Sequence, residues 1–233
     1  MRNINRKALR RTFLDTVPVL TGYLFLGAGF GILLSESGYN VLWAFGMGLF
    51  ILAGSGQYLA VTLMATGASY LWAAVATLLV NARHLFYGIS VLEDYTDAGK
   101  KKPYLIFALT DETYTLVTQN QPPEGMSRHS YCFLVSLLDH IYWICGCTLG
   151  TLIGAYIPIS FEGVEFVLTA LFVTMFVEQW ITHKNHIPAL IGAGATALCL
   201  VLFGSDIFLI PSMALMAILL TVLQKTGRRE SHV

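Results

Sequence analysis

Three long stretches without a formal charge constrain the fold of this chain more than any other feature. They cover residues 16–34, 187–205 and 207–224. Each is close to the roughly 20 helical residues that cross a ~30 Å hydrocarbon core. Of the 233 residues, 55% are apolar and 12% are charged. This charged fraction is about half that of a typical soluble domain. A soluble protein of this size cannot bury three such segments, so we predict an integral membrane protein.

The apolar runs are continuous rather than alternating, which favours helices over a closed β-barrel. We therefore predict an all-α polytopic membrane protein. A single transmembrane domain over residues 16–224 lies between a basic N-terminal segment (1–15) and a C-terminal tail (225–233). The first run follows five basic residues, as in a signal peptide, but no small-residue cleavage site leads into a soluble domain, so we predict a retained span. The eight predicted membrane-embedded segments are 16–34, 41–66, 70–92, 104–121, 131–157, 163–181, 186–204 and 206–224.

Basic residues cluster at the N-terminus, at Lys100–Lys102 and in the C-terminal tail. Lys and Arg accumulate on the cytoplasmic side of membranes, so these clusters and both termini are predicted to be cytoplasmic. Three complete crossings would leave Lys100–Lys102 outside, so one of the first three segments must fail to cross. Residues 41–66 are the best candidate, because two half-helices meeting at residues 54–57 would enter and leave on the same side.

A weak internal similarity suggests two repeats, over residues 16–121 and 131–224. Gly27-x3-Gly31 recurs as Gly150-x3-Gly154 at a nearly constant offset. If residues 104–121 cross, three crossings separate the copies and the repeats are inverted, with the second broken helix near residues 178–179. Interrupted helices at matching positions of an inverted repeat are typical of a transporter's binding site. The alternative is chance similarity between glycine-rich helices, since G-x3-G also serves ordinary helix packing.

Ionisable groups inside the apolar segments are the strongest functional candidates, because charge at membrane depth costs at least ~2.5–3.5 kcal/mol. Arg83 is the one formal charge in residues 38–92. It lies beside Asn81 and His84, and its natural partner is Asp111 or Glu112 in the fourth segment. We predict that these five residues line a polar cavity that binds substrate. The alternatives are a structural salt bridge or an Arg side chain that reaches the cytoplasmic face.

Gly54-Ser55-Gly56-Gln57 is the second candidate for substrate binding. A broken helix exposes backbone N–H groups, and the positive end of the second half-helix can bind a carboxylate. Ser55 and Gln57 add donors, and the glycines allow close approach. The alternative is a glycine kink with Gln57 hydrogen-bonded in the core.

Asp139, His140 and Glu178 are candidates for proton coupling. A carboxylate and an imidazole in one apolar segment could titrate as a pair. Asp139 and His140 could equally form an interhelical hydrogen bond or lie near the headgroups, and neighbouring loop polarity could explain Glu178.

Other classes of function have little support in the sequence. The net charge is zero, so nothing indicates a nucleic-acid partner. No His and carboxylate residues stand at metal-ligand spacing, so we predict neither a metal nor another cofactor. The four cysteines lie in apolar segments and are interpreted as packing residues: Cys132, Cys145, Cys147 and Cys199.

Three motifs together resemble the AzlC family of branched-chain amino acid permeases. They are the Ala53-Gly-Ser-Gly-Gln57 segment, the Asn81-Ala-Arg-His-Leu-Phe-Tyr-Gly88 segment and Leu109-Thr-Asp-Glu-Thr-Tyr114 after a basic loop. The similarity extends from about Phe13 to Leu223. It implies export of leucine, isoleucine, valine or similar amino acids from a prokaryotic cell, across the cell membrane. It also implies a partner, a small hydrophobic subunit of the AzlD type, and an oligomer is possible.

The sequence therefore predicts a transporter and no enzyme. A zwitterionic substrate would place its carboxylate near Gly56 and Gln57 and its ammonium on Asp111 or Glu112, with Phe or Met side chains around the aliphatic group. Proton coupling is expected. The alternatives are a channel for a small polar solute and an intramembrane serine hydrolase with Ser55 as nucleophile and His140 as base.

Overall fold

The structure is a computed structural model that describes residues 6–92, 94–156, 173, 176, 177, 180, 181, 186–204 and 208–230. All regular structure in these residues is helical, which confirms the all-α prediction. The chain forms two compact units, Met1–Leu168 and Thr169–Val233. Glu178 and the predicted break at residues 178–179 lie outside the described residues.

The two longest helices form the centre of the first unit. Helix α1 covers Arg6–Glu36 and helix α8 covers Arg128–Tyr156. Among the described residues, these two helices are long and apolar enough to cross a membrane. The other predicted segments consist of shorter helices in the described part of the chain, so eight complete spans are not confirmed.

Glycines bring α1 and α8 into backbone contact. A Cβ atom added at Gly27 would lie 2.9 Å from the Cys147 nitrogen, and one added at Gly31 would meet the backbone of Cys147 and Thr151. Later residues of α8 contact later residues of α1, since Gly154 packs on Ile32 and Ser35 near the end of α1. The helices are therefore parallel. The two glycine motifs predicted to be inverted copies run in the same direction, so this part of the inverted-repeat prediction is wrong.

The second predicted segment forms a helical hairpin. Helix α2 covers Val41–Phe50 and helix α3 covers Gly54–Ala65. From the C-terminal end of α1, α2 runs back towards the N-terminal ends of α1 and α8 as far as Gly48, which packs on Ile144 of α8. After the turn, α3 rises again, because Gly54 packs on Trp143 and the Tyr58 hydroxyl donates to the Leu26 carbonyl at 2.7 Å. The chain thus reverses at residues 51–53, a few residues before the predicted break at residues 54–57.

The next helices return the chain to the N-terminal end of α1 and α8. Helix α4 covers Tyr70–Asn81 and helix α5 covers Arg83–Ser90, with Ala82 between them. A 3₁₀ turn at Gly99–Lys101 follows, and Lys101 Nζ donates to Ser130 Oγ near the start of α8 at 3.1 Å.

A second hairpin then enters from that end. Helix α6 covers Lys102–Phe107 and helix α7 covers Asp111–Gln119. Tyr104 of α6 reaches His140, whereas the end of α7 returns to Arg128, which donates to the Val117 carbonyl. Residues 104–121 therefore do not cross, because three non-helical residues at 108–110 reverse the chain. The condition on which the inverted repeat was predicted is not met.

The described part of the second unit contains two helices that pack together. Helix α9 covers Ile187–Phe203 and helix α10 covers Leu209–Glu230. Gly204 ends α9 with a positive φ of 73°, a conformation that glycine adopts without a Cβ penalty.

Candidate functional site

The tips of the two hairpins line one cavity. Leu52 and Ala53 contribute from the first tip, and Phe107 and Leu109 from the second. The cavity has a volume of about 440 Å³, within the range of small-molecule sites. Most of the described lining is apolar. The described residues that line the cavity are Leu52, Ala53, Asn81, His84, Gly88, Val91, Leu92, Tyr95, Lys102, Ile106, Phe107 and Leu109.

Helix α3 presents its N-terminus beside this cavity. Ala53 is the N-cap residue and supplies no side-chain hydrogen bond to the helix. The first N–H groups of a helix have no partner within it and carry its positive end. Gly56 allows close packing here, because an added Cβ would lie 2.9 Å from Asn81 Nδ2.

Gln57 lies in the core, where it bonds to Trp143. The Trp143 indole donates to Gln57 Oε1 at 2.5 Å, and the two side chains are 3% and 0% exposed. Gln57 Nε2 is buried without a hydrogen-bond partner among the described residues.

Of the predicted site residues whose side chains the structure describes, Asn81 and His84 line the cavity. Asn81 Nδ2 donates to the Thr77 carbonyl at 2.9 Å, and its Oδ1 is buried without a hydrogen-bond partner among the described residues. Arg83 lies between them at the start of α5, and its side chain falls outside the described part of the molecule. Tyr95 and Lys102 add polar groups from the basic loop. Burial raises the pKa of Tyr95, so its hydroxyl remains a donor at neutral pH.

Asp111 and Glu112 form the first turn of α7, where acidic residues complement the helix dipole. Thr110 caps this helix, and its Oγ1 accepts from the Thr113 amide at 3.2 Å. Tyr23 of α1 donates to Glu112 Oε2 at 2.8 Å. Neither acid is among the described residues that line the cavity, although α7 packs near α5, where Tyr114 stacks on Tyr87 with ring centroids 4.8 Å apart.

Asp139 and His140 bond to different elements. Asp139 is fully buried and accepts from Thr113 Oγ1 at 2.8 Å. His140 bridges the two hairpins, because its Nδ1 lies 3.0 Å from the Tyr104 hydroxyl and its Nε2 lies 3.2 Å from the Gly48 carbonyl. A carbonyl can only accept, so Nε2 carries the proton and Nδ1 accepts from Tyr104. With both nitrogens engaged, His140 is poorly placed to act as a base for Ser55.

Sequence reasoning missed Tyr23, Thr113 and Trp143. Tyr23 and Trp143 stand in apolar runs where nothing distinguishes them from packing residues. The sequence does contain a signal for the start of α7 at Thr110, because a Thr followed by two acidic residues is typical of a helix N-terminus. Within the described residues, no group of three or more His, Cys, Asp or Glu side chains could hold a metal ion.

Known proteins similar to this chain are transport or membrane proteins. The model of the AzlC protein family matches residues 18–157, which span most of α1 and continue through α8. The branched-chain amino acid transport protein AzlC of Bacillus subtilis is 40% identical, over 94% of this chain and 86% of that protein. An uncharacterized membrane protein of Helicobacter pylori is 40% identical over 94% and 96%, and inner membrane protein YgaZ of Escherichia coli is 24% identical over 77% of each chain. No solved structure matches.

Proposed function

Because the chain belongs to the AzlC family, we propose that it transports branched-chain and similar aliphatic amino acids. The observation that carries this proposal is the cavity between the two hairpin tips. A broken helix opens onto a space of about 440 Å³ with a largely apolar lining. Broken helices at membrane depth are typical of substrate sites in secondary transporters, since unpaired backbone groups are tolerated where they line a cavity.

The two ends of the broken helix suit the two charges of an amino acid. The N-terminus of α3, where the side chain of Ala53 supplies no cap, would bind the carboxylate, and the carbonyl end of α2 would bind the ammonium. The aliphatic side chain would lie against Leu52, Phe107 and Leu109. This arrangement keeps the predicted role of Gly54 and Gly56. It moves the ammonium away from Asp111 and Glu112, because the cavity is not lined by those acids.

An apolar cavity of this kind accepts a group of related substrates. One methylene changes binding by only about 1–3 kcal/mol. Leucine, isoleucine and valine are therefore expected to compete with one another, whereas amino acids with charged side chains would leave a buried charge unpaired.

We also propose export, proton coupling, a prokaryotic cell-membrane location and pairing with a small AzlD-type subunit. The orientation is supported by basic residues at one end of the first unit, where Lys101 lies beside Ser130 and α1 begins with Arg6 and Lys7. That end would face the cytoplasm. Wide exposure of apolar side chains on α2 and α4, including Leu42, Phe50 and Leu71, is compatible with lipid or a membrane partner.

The proposal is tested by leucine flux in vesicles that contain the purified chain, with and without the small subunit. We expect saturable flux, competition by isoleucine and valine, and acceleration by internal unlabelled leucine. A channel would instead give non-saturable flux without exchange. No flux of any aliphatic amino acid in the presence of both subunits would refute the proposed function.

A variant that fills the cavity tests whether the substrate binds there. Leu109→Trp adds an indole between the hairpin tips and is expected to abolish leucine binding. Leu149→Trp on α8, where the side chain is 52% exposed, is the matched control and is expected to leave leucine flux unchanged. Equal activity of both folded variants would place the substrate elsewhere.

A further inference from the structure

A continuous chain of hydrogen bonds connects two acidic residues on different helices. From Glu112 of α7 it passes to the Tyr23 hydroxyl at 2.8 Å, then to Thr110 Oγ1 at 2.7 Å. It continues to Thr113 Oγ1 at 3.1 Å and ends on Asp139 Oδ2 of α8 at 2.8 Å. Three hydroxyl groups therefore separate the two carboxyl groups, and each step is within hydrogen-bond distance.

The interior of this chain is closed to solvent. The exposed fractions of Tyr23, Thr110, Thr113 and Asp139 are 4%, 6%, 0% and 0%. Asp139 Oδ1 is buried without a hydrogen-bond partner among the described residues. A carboxylate with one hydroxyl partner in such a site is costly. A proton on Asp139 removes that cost, and an ionised Glu112 can then accept from Tyr23.

We propose that Glu112 and Asp139 share one proton, which moves between them through Tyr23, Thr110 and Thr113. In the structure Thr110 donates to Thr113 and Thr113 donates to Asp139. With the proton on Asp139, both hydroxyls turn: Asp139 donates to Thr113, Thr113 to Thr110, Thr110 to Tyr23, and Tyr23 to Glu112. Each group then passes its proton one step along the chain. The O–H bond of Asp139 breaks, the new O–H bond forms on Glu112, and each hydroxyl has lost one proton and gained another. No other reactant is needed.

The direction of every hydroxyl reverses in this transfer. Afterwards Glu112 donates to Tyr23, and the chain of donors runs towards an ionised Asp139. Hydroxyl groups suit this role because each is both a donor and an acceptor. Among the side chains that the structure describes, the other titratable groups near the relay are those of Asp111, His140, Tyr104 and Tyr142. His140 and Tyr104 bond to each other, and Tyr142 lies 3.1 Å from Thr16 Oγ1.

The position of the relay gives it a role that rests on the proposed transport function. It joins α1, α8 and the second hairpin, whose tip lines the cavity. Transfer of the proton moves negative charge between α8 and the start of α7. The relay would therefore couple proton movement to the position of this tip.

The test compares two kinds of flux in vesicles containing the full chain and its small subunit. Flux driven by a pH gradient requires net proton movement, whereas exchange of leucine for leucine does not. Thr113→Val breaks the relay and is expected to slow gradient-driven flux by about a hundredfold, the lower end of what positioned proton transfer contributes. Exchange should remain close to wild type, and Thr113→Ser should restore the driven flux.

Two further variants control for structural effects. Tyr23→Phe breaks the relay at another hydroxyl and should give the same pattern if Thr113→Val folds poorly. Thr115→Val is the matched control, because within the described part of the chain Thr115 Oγ1 bonds to its own helix, to the Asp111 carbonyl at 2.9 Å. Thr113→Val with normal gradient-driven flux would overturn the relay. Equal loss of driven flux and exchange in folded Thr113→Val and Tyr23→Phe would also overturn it.

Infrared spectroscopy tests the shared proton without transport. The relay predicts a protonated-carboxyl band at neutral pH that changes in both Glu112→Gln and Asp139→Asn and disappears in the double variant. A band that is lost in Asp139→Asn and unchanged in Glu112→Gln would overturn the sharing. If wild-type vesicles show no leucine flux but the band behaves as expected, the proposed function fails and the shared proton stands.

Discussion

Substitution of Gly31 tests the close packing of α1 and α8. A Cβ added at this position would lie 2.9 Å from the Gly150 carbonyl carbon and still closer to the Cys147 oxygen and the Thr151 nitrogen. All three are backbone atoms of α8, so no side-chain rotation can relieve the contact. In Gly31→Ala the two helices must move apart.

The cost follows from these distances. Carbon atoms in ordinary contact lie about 3.5–4.0 Å apart, and a gap of about 0.5–1 Å forfeits a quarter to a half of the dispersion energy. Separation also weakens the hydrogen bond from Thr151 Oγ1 to the Gly31 carbonyl at 3.0 Å, which contributes about 1 kcal/mol. Overpacking typically costs about 1–3 kcal/mol, and a gain of about 0.5–1 kcal/mol from replacing a helical glycine offsets part of it. We expect a net destabilisation of about 2 kcal/mol.

The assay is thermal unfolding of the purified protein in detergent. A loss of about 2 kcal/mol lowers Tm by about 4–8 °C for a chain of this size. Gly22→Ala is the matched control on the same helix, because its added Cβ meets nothing within 4 Å. Its Tm should be unchanged or raised. If Gly31→Ala is as stable as Gly22→Ala, the close parallel packing of α1 and α8 is refuted.

Two further substitutions test the hydrogen bonds that hold the hairpins. Trp143→Phe leaves Gln57 buried without its donor, which costs about 1–3 kcal/mol; an unchanged Tm would contradict the buried placement of Gln57. Arg128→Gln removes a guanidinium that bonds the Asn120 and Val117 carbonyls and Asp94. In this variant we expect faster amide hydrogen exchange at the end of α7 and little change in α4. Equal protection of α7 in Arg128→Gln and in the wild-type protein would show that Arg128 does not anchor this hairpin.

The helical class and the first hairpin could be read from the sequence, because both depend on local signals. Long uncharged runs require helices in lipid. The charge distribution requires residues 41–66 to turn back, and the glycines at 54–57 mark the neighbourhood of the turn. Its position at residues 51–53 was missed because Gly54 and Gly56 begin a helix here, where close packing against Trp143 and Asn81 decides their role.

The second hairpin and most of the site depend on long-range contacts, which periodicity does not encode. Residues 104–121 have the composition of a span, and the reversal at 108–110 is stabilised by a Thr110 cap and by bonds to α1 and α8. Asn81 and His84, which line the cavity, could be predicted as site candidates because polar residues in an apolar segment are conspicuous. Tyr23 could not be found, since its partner Glu112 lies 89 residues away.

The most direct test of the central claim is protection of a cysteine in the cavity by substrate. Ala53→Cys, in a background lacking the four native cysteines, places a thiol at the N-terminus of α3 beside the hairpin tips. Leucine is predicted to slow its modification by a small methanethiosulfonate reagent, whereas glutamate is not. A thiol modified at the same rate with and without saturating leucine, in protein that still transports leucine, would contradict substrate binding in this cavity.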